Sequence, residues 1–82
     1  MKISTKGRYA LRILADIAEH GVEKNVPIRE IAERQGFSDK YLEGIVSRLS
    51  SAGLVKSGRG KYGGYRLVKS PAEYNVYEIL YA

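Results

Sequence analysis

The change of period between residues 38 and 67 constrains this chain more than any other feature. From 38 to 52, apolar residues fall at Tyr41, Leu42, Ile45, Val46 and Leu49, the stripe of an amphipathic helix with those five side chains buried. From 54 to 67 the helical period is lost. Short runs at 54–56 and 65–68 flank the glycine-rich stretch SGRGKYGG, which predicts two short strands joined by a loop. A helix running straight into a basic, glycine-tipped hairpin has the form of a reading head for nucleic acid.

Charge is placed to match. Between Gly44 and Ala72 there are six basic residues (Arg48, Lys56, Arg59, Lys61, Arg66 and Lys69) and no acidic ones, against eight basic and nine acidic in the remainder. The net charge of +5 therefore belongs to the second half of the reading head, and a one-sided positive field attracts polyanions, duplex DNA first. Eighty-two residues allow one domain with a small core. With no cysteine and a single histidine, His20, the chain has no disulfide, no thiolate metal site and no histidine cluster. It also lacks a base and nucleophile pair, which argues against an enzyme. No apolar run reaches the ~20 residues of a membrane span, and residues 1–6 lack a signal-peptide core. The expected compartment is the cytoplasm.

The preceding segments supply support. Tyr9, Ala10, Ile13, Leu14, Ile17 and Ala18 repeat at helical spacing and predict a helix over 5–20. Gly21 is expected to end it as a left-handed cap, with His20 in the last turn. Residues 26–28 read as a short edge strand or as an extended entry to a second helix, from 28 or 29 to 34, that presents Ile28, Ile31 and Ala32 inward. Ala32, then Gly36, Phe37 and Ser38, form the pattern of a helix-turn-helix. The small Ala32 admits a crossing helix, Gly36 takes the turn, and Ser38 caps the next helix with Asp39 beside it.

The outer face of that next helix carries Lys40, Glu43, Gly44, Ser47, Arg48 and Ser51, short or charged residues that permit close approach to a groove. A solvated helix surface is the plainer explanation of the same residues. At the hairpin tip, Gly58-Arg59-Gly60-Lys61-Tyr62-Gly63 matches GxGxxG. The dinucleotide fingerprint, however, requires a preceding strand and a following helix, and here the order is reversed. A kinase loop lacks its following lysine strand, and a P-loop would need glycine at Val55 and serine or threonine at Tyr62. The glycines instead suit a tight wing whose backbone N–H groups approach phosphates, with Arg59 reaching a minor groove, Lys61 on the backbone and Tyr62 on sugar or phosphate. Tyr65 is expected in the core. The expected DNA-binding set is Ser38, Lys40, Tyr41, Glu43, Gly44, Ser47 and Arg48 on the helix, with Arg59, Gly60, Lys61, Tyr62 and Gly63 at the wing.

Residues 70–73 read as a turn. Asn75 with Glu78 resembles a capping box opening a helix at 76–81. Tyr77, Ile79, Leu80 and Tyr81 would be exposed there, so 70–82 is read as the start of a truncated linker or C-terminal helix, or as an end that packs on a partner chain. Residues 1–69 form the winged helix-turn-helix, mainly α with a small β-hairpin.

Four segments (MKISTKGRYAL, YLEGIVSRLSSAGLVKS, RGKYGGYRL and SPAEYNVYEIL) together resemble one bacterial repressor family. It includes the iron–sulfur cluster assembly regulator, the nitric-oxide-sensing repressor and the cysteine-metabolism repressor. The resemblance covers essentially the whole chain and implies a winged helix-turn-helix that binds palindromic operators as a homodimer. It places Ser38, Lys40, Glu43 and Gly44 on the major-groove side and Arg59 in the minor groove. Gly44 stands where the family often has glutamine, so no side-chain contact is expected from that position. Cluster-bearing relatives use three cysteines beyond the wing, a region this chain does not include, so no cofactor is expected in this chain. The competing expectation is a winged-helix protein-interaction module without DNA binding, which would carry an apolar outer face on the third helix.

Overall fold

The computed structural model describes residues 5–21, 24–58 and 63–80. The 3.6-residue stripe of the first segment closes into α1, Thr5–His20, which buries Ala10, Ile13, Leu14 and Ile17. A second helix, α2 (Ile28–Gln35), adds Ile31 and Ala32, and a third, α3 (Asp39–Ser51), adds Leu42, Ile45, Val46 and Leu49. These three helices share one core with Val26, Leu54, Val55 and Ile79. Helix α1 is its spine, packed against α2, α3, the hairpin and the last helix.

Turn chemistry joins α2 to α3 as the sequence predicts. Gly36 caps α2 at φ 75°, where a side chain would be strained, and its N–H and that of Phe37 both donate to the Ala32 carbonyl. Ser38 is extended at φ −72° and ψ 150°, and its hydroxyl accepts from the Tyr41 N–H at 3.1 Å. This satisfies one of the free donors at the start of α3.

The hairpin consists of β1 (Val55–Ser57) and β2 (Tyr65–Leu67), antiparallel with Val55 opposite Leu67, Lys56 opposite Arg66 and Ser57 opposite Tyr65. Val26 adds a single bridge on the free edge of β2, exchanging both backbone hydrogen bonds with Tyr65 at 2.8 Å. Residues 26–28 are thus both things the sequence allows, since Pro27 is the extended residue from which α2 starts. A 3-10 turn, Pro71–Glu73, leads to α4, Val76–Leu80. Its capping box forms: the Asn75 side chain accepts from the Tyr77 N–H at 2.8 Å and Glu78 accepts from the Asn75 N–H at 3.1 Å. That backbone donor, then Lys69 at 3.1 Å, holds the Glu78 carboxyl below its ordinary pKa.

Three expectations are corrected. Gly21 is not left-handed. Glycine is needed there for room, because a Cβ would stand 2.6 Å from the Ile17 carbonyl oxygen and 3.2 Å from Val26 Cγ2. Tyr41 is not buried with its stripe but 40% exposed, because it packs beside the partly buried rings of Tyr9 and Phe37 at the margin of the core. Ile79 is buried rather than exposed and Leu80 is half-buried, because α4 folds back onto α1. Tyr77 does remain exposed, and Tyr81 lies outside the described residues.

Candidate nucleic-acid interface

The outer face of α3 is open. Lys40, Glu43, Gly44, Ser47 and Arg48 are all exposed, and a Cβ added at Gly44 would meet nothing within 4 Å. Among the described residues, Lys40, Glu43 and Arg48 have no ion-pair partner. A groove of about 480 Å³ runs along this face, lined by Lys6, Ser38, Lys40, Tyr41, Gly44, Ile45 and Arg48. Five of the seven helix residues expected to bind DNA therefore border one groove, while Glu43 and Ser47 share the exposed face outside it. Lys6 is an addition from α1. It stands four residues before Ala10 and seven before Ile13, on the buried side of α1, but its charge sets it apart from the apolar pattern and it meets α3 only once the helices pack.

The wing is described up to its tip. Beyond the β1–β2 ladder the Gly58 N–H donates to the Gly64 carbonyl at 2.8 Å, and Gly63 is half-buried at φ 57°. Arg59, Gly60, Lys61 and Tyr62 lie outside the described residues.

Two linked sets of contacts join α1 to α2 and to the start of α3. Tyr9, Phe37 and Tyr41 form an aromatic triad with ring centroids 4.6–6.0 Å apart, and the Arg12 guanidinium sits 4.9 Å from the Phe37 centroid. Arg12 also donates to the Gln35 carbonyl at 2.9 Å and to its side-chain oxygen at 3.1 Å. Gln35 in turn donates to Asp16, which is 3% exposed and bound in a bidentate pair by Arg34 at 2.7 and 2.9 Å. Burial raises the Asp16 carboxyl, but hydrogen bonds from Arg34 and Gln35, with the charges of Arg34 and His20, outweigh it and hold the group below its usual range. Sequence reading missed this network. Its one local signal is an acid three residues after Ile13 and one before Ile17, on the buried side of an amphipathic helix.

The geometry is that of a winged helix-turn-helix with an unobstructed, basic recognition face. The sequence profile of the Rrf2 family, described as an iron-dependent transcriptional regulator, matches residues 3–82. This chain belongs to the Rrf2 family. It is 45% identical over its whole length to protein rrf2 of Nitratidesulfovibrio vulgaris, covering 55% of that protein, and 48% identical to the HTH-type transcriptional regulator IscR of Photorhabdus laumondii, covering 50%. Among solved structures, the global cysteine regulator CymR of B. subtilis superposes with a TM-score of 0.88 at 46% identity, over 96% of this chain and 61% of that one. The IscR of T. potens gives 0.89 at 46% identity, over 99% and 59%. Family and relatives are transcriptional regulators, not enzymes. The chain spans about half the length of the curated Rrf2-family relatives it matches.

The family description names iron, and the donor set of this chain decides whether it could hold it. The 82 residues contain no cysteine, and among the described residues no group of three His, Cys, Asp or Glu side chains is placed to hold a metal. These residues do not fit an iron site. Among the same residues no helix is long and apolar enough to cross a membrane.

Proposed function

We propose that this chain is the sequence-reading part of a bacterial transcriptional repressor, with α3 in the major groove of duplex DNA and the wing in the adjacent minor groove. The observation that carries the reading is the open groove on α3, bordered by Lys6, Lys40 and Arg48 and left unfilled by Gly44. Lys40 and Arg48 are long, exposed and without an ion-pair partner among the described residues, suited to phosphate oxygens and guanine edges; Glu43 can accept from a cytosine amino group. Ser38 accepts from the Tyr41 N–H and keeps its own hydroxyl hydrogen to donate outward. Tyr41 and Ser47 complete the helix set; Arg59 is assigned to the minor groove, with Gly60, Lys61, Tyr62 and Gly63 on the sugar–phosphate backbone. The cytoplasm is the compartment, a homodimer the working state and a palindromic operator the target. Family membership supports all three. The interaction-module alternative requires an apolar outer face on α3, and that face is polar and charged.

Selection from a random duplex library, sequenced after several rounds, tests this directly. The expected result is an enriched inverted repeat. On the selected duplex, Arg59→Ala lowers affinity by about 1–3 kcal/mol and relaxes preference at the minor-groove positions. Unchanged affinity and preference in that variant would remove the wing from the readout.

A further inference from the structure

A second cleft, of about 470 Å³, lies between the hairpin and the C-terminal end of α1 and shares no lining residue with the groove on α3. Its floor includes Ile17 and Leu67, and four cations border it: Lys24, Lys56, Arg66 and Lys69. One of the four is already engaged. Lys69 donates to Glu78 at 3.1 Å and lies 5.0 Å from the Tyr74 ring centroid. Among the described residues Lys24, Lys56 and Arg66 have no acidic partner. Two of these stand directly opposite one another, since Lys56 and Arg66 are paired in the β1–β2 register. Like charges facing across an antiparallel pair destabilise it. A two-stranded sheet of three residues each is a poor place to carry that repulsion unless an anion relieves it.

We infer that Lys24, Lys56 and Arg66 form a phosphate-binding face that extends the DNA footprint past the wing onto the backbone flanking the minor groove. The inference rests on the proposed binding of duplex DNA through α3 and the wing. The ladder supports it: Lys56 and Arg66 sit two residue pairs behind Gly58 and Gly64, or roughly 7 Å at the strand rise. A tip seated in a minor groove roughly 6 Å wide brings its bounding phosphates within reach of side chains set back by that distance. These contacts add affinity without reading sequence.

The test measures the salt dependence of binding to the selected duplex and to a random one, together with thermal stability of the free chain. Neutralising all three (Lys24→Gln, Lys56→Gln, Arg66→Gln) lowers the slope of log K against log salt by roughly 2–3 per bound chain, about 0.9 for each lost contact. The ratio of selected to random affinity stays the same at fixed salt. Lys56→Gln alone lowers the slope by about 0.9 and raises the Tm of the free chain by about 1–4 °C at low salt, as the facing charges are relieved. Lys56→Arg keeps the parental slope. A parental slope in the triple variant, or a slope lost equally in Lys56→Arg, overturns the phosphate face while leaving the reading of α3 intact. A parent that binds neither duplex overturns both.

Discussion

The corner between α1 and α2 and the hairpin after α3 hold their parts of the molecule by different means. At the corner, a carboxylate withdrawn from water receives three hydrogen bonds, two from Arg34 and one from Gln35, and Arg12 ties the end of α2 to an aromatic triad. Arg12, Asp16, Arg34 and Gln35 all bond to one another or to the α2 backbone within the chain. The hairpin has three residue pairs, one bridge to Val26 and two cations that repel across the ladder. Its firmest tie comes from beyond it: the Tyr74 hydroxyl accepts from the Val68 N–H at 3.0 Å and donates to the Leu54 carbonyl, closing the hairpin at its base. One region is complete in itself; the other leaves charge unbalanced toward an outside partner. If α3 and the wing bind DNA as proposed, the helix is aimed by contacts within the chain, while the cations beside the wing await an outside partner.

The corner is the place to break this contrast hardest. Asp16→Ala leaves Arg34 and Gln35 without their buried acceptor and costs about 3 kcal/mol in chemical denaturation, the low end for a buried pair because Arg34 keeps some contact with water. A loss below about 1 kcal/mol would show that the corner is no more locked than the hairpin. Its pH dependence has a definite sign. The folded Asp16 pKa lies below the unfolded value of about 3.9, so the stabilisation is fully present above that value and fades as pH falls through the folded pKa. The stability difference between parent and Asp16→Asn should therefore begin to close below about pH 4 and vanish only below the folded pKa.

A smaller effect is expected at the base of the wing. Tyr74→Phe removes the shared hydroxyl and costs about 1–2 kcal/mol, with faster amide exchange at Val68 and Tyr65 than in α3. Equal acceleration throughout the chain would mean that the hairpin and the helices open as one unit. Ser38→Ala costs least, about 1 kcal/mol, by freeing the Tyr41 N–H, and Ser38→Asn restores most of it. An unchanged midpoint in Ser38→Ala would transfer the capping role to water.

Much of the fold could be read before any coordinates. Helix α1, the turn at Gly36, the Ser38 cap, the paired strands and the Asn75–Glu78 box all depend on residues within a few positions of one another, and local chemistry decides them. The candidate site was legible to the extent that it lies on one helix face, where Lys40, Glu43, Gly44, Ser47 and Arg48 follow from the apolar stripe opposite. Tyr41 did not follow. Helical period puts it with Leu42 and Ile45, and only the packing of the helices leaves it half in solvent beside Tyr9 and Phe37.

What remained hidden joins residues far apart in the chain. Asp16 meets Arg34 and Gln35 across 18 and 19 positions, and Tyr74 reaches Leu54 across 20. Lys6 comes to the groove on α3, and Lys24 joins Lys56 and Arg66, only through packing. Periodicity and caps report which face of each element is wet. They carry no record of which wet residue meets which, because that depends on crossing angles set by the whole core at once. The sequence by itself therefore determined the helix-turn-helix, the wing and the side of α3 that stays open. The tertiary structure decided the buried frame that aims the helix and the cations that gather beside the wing.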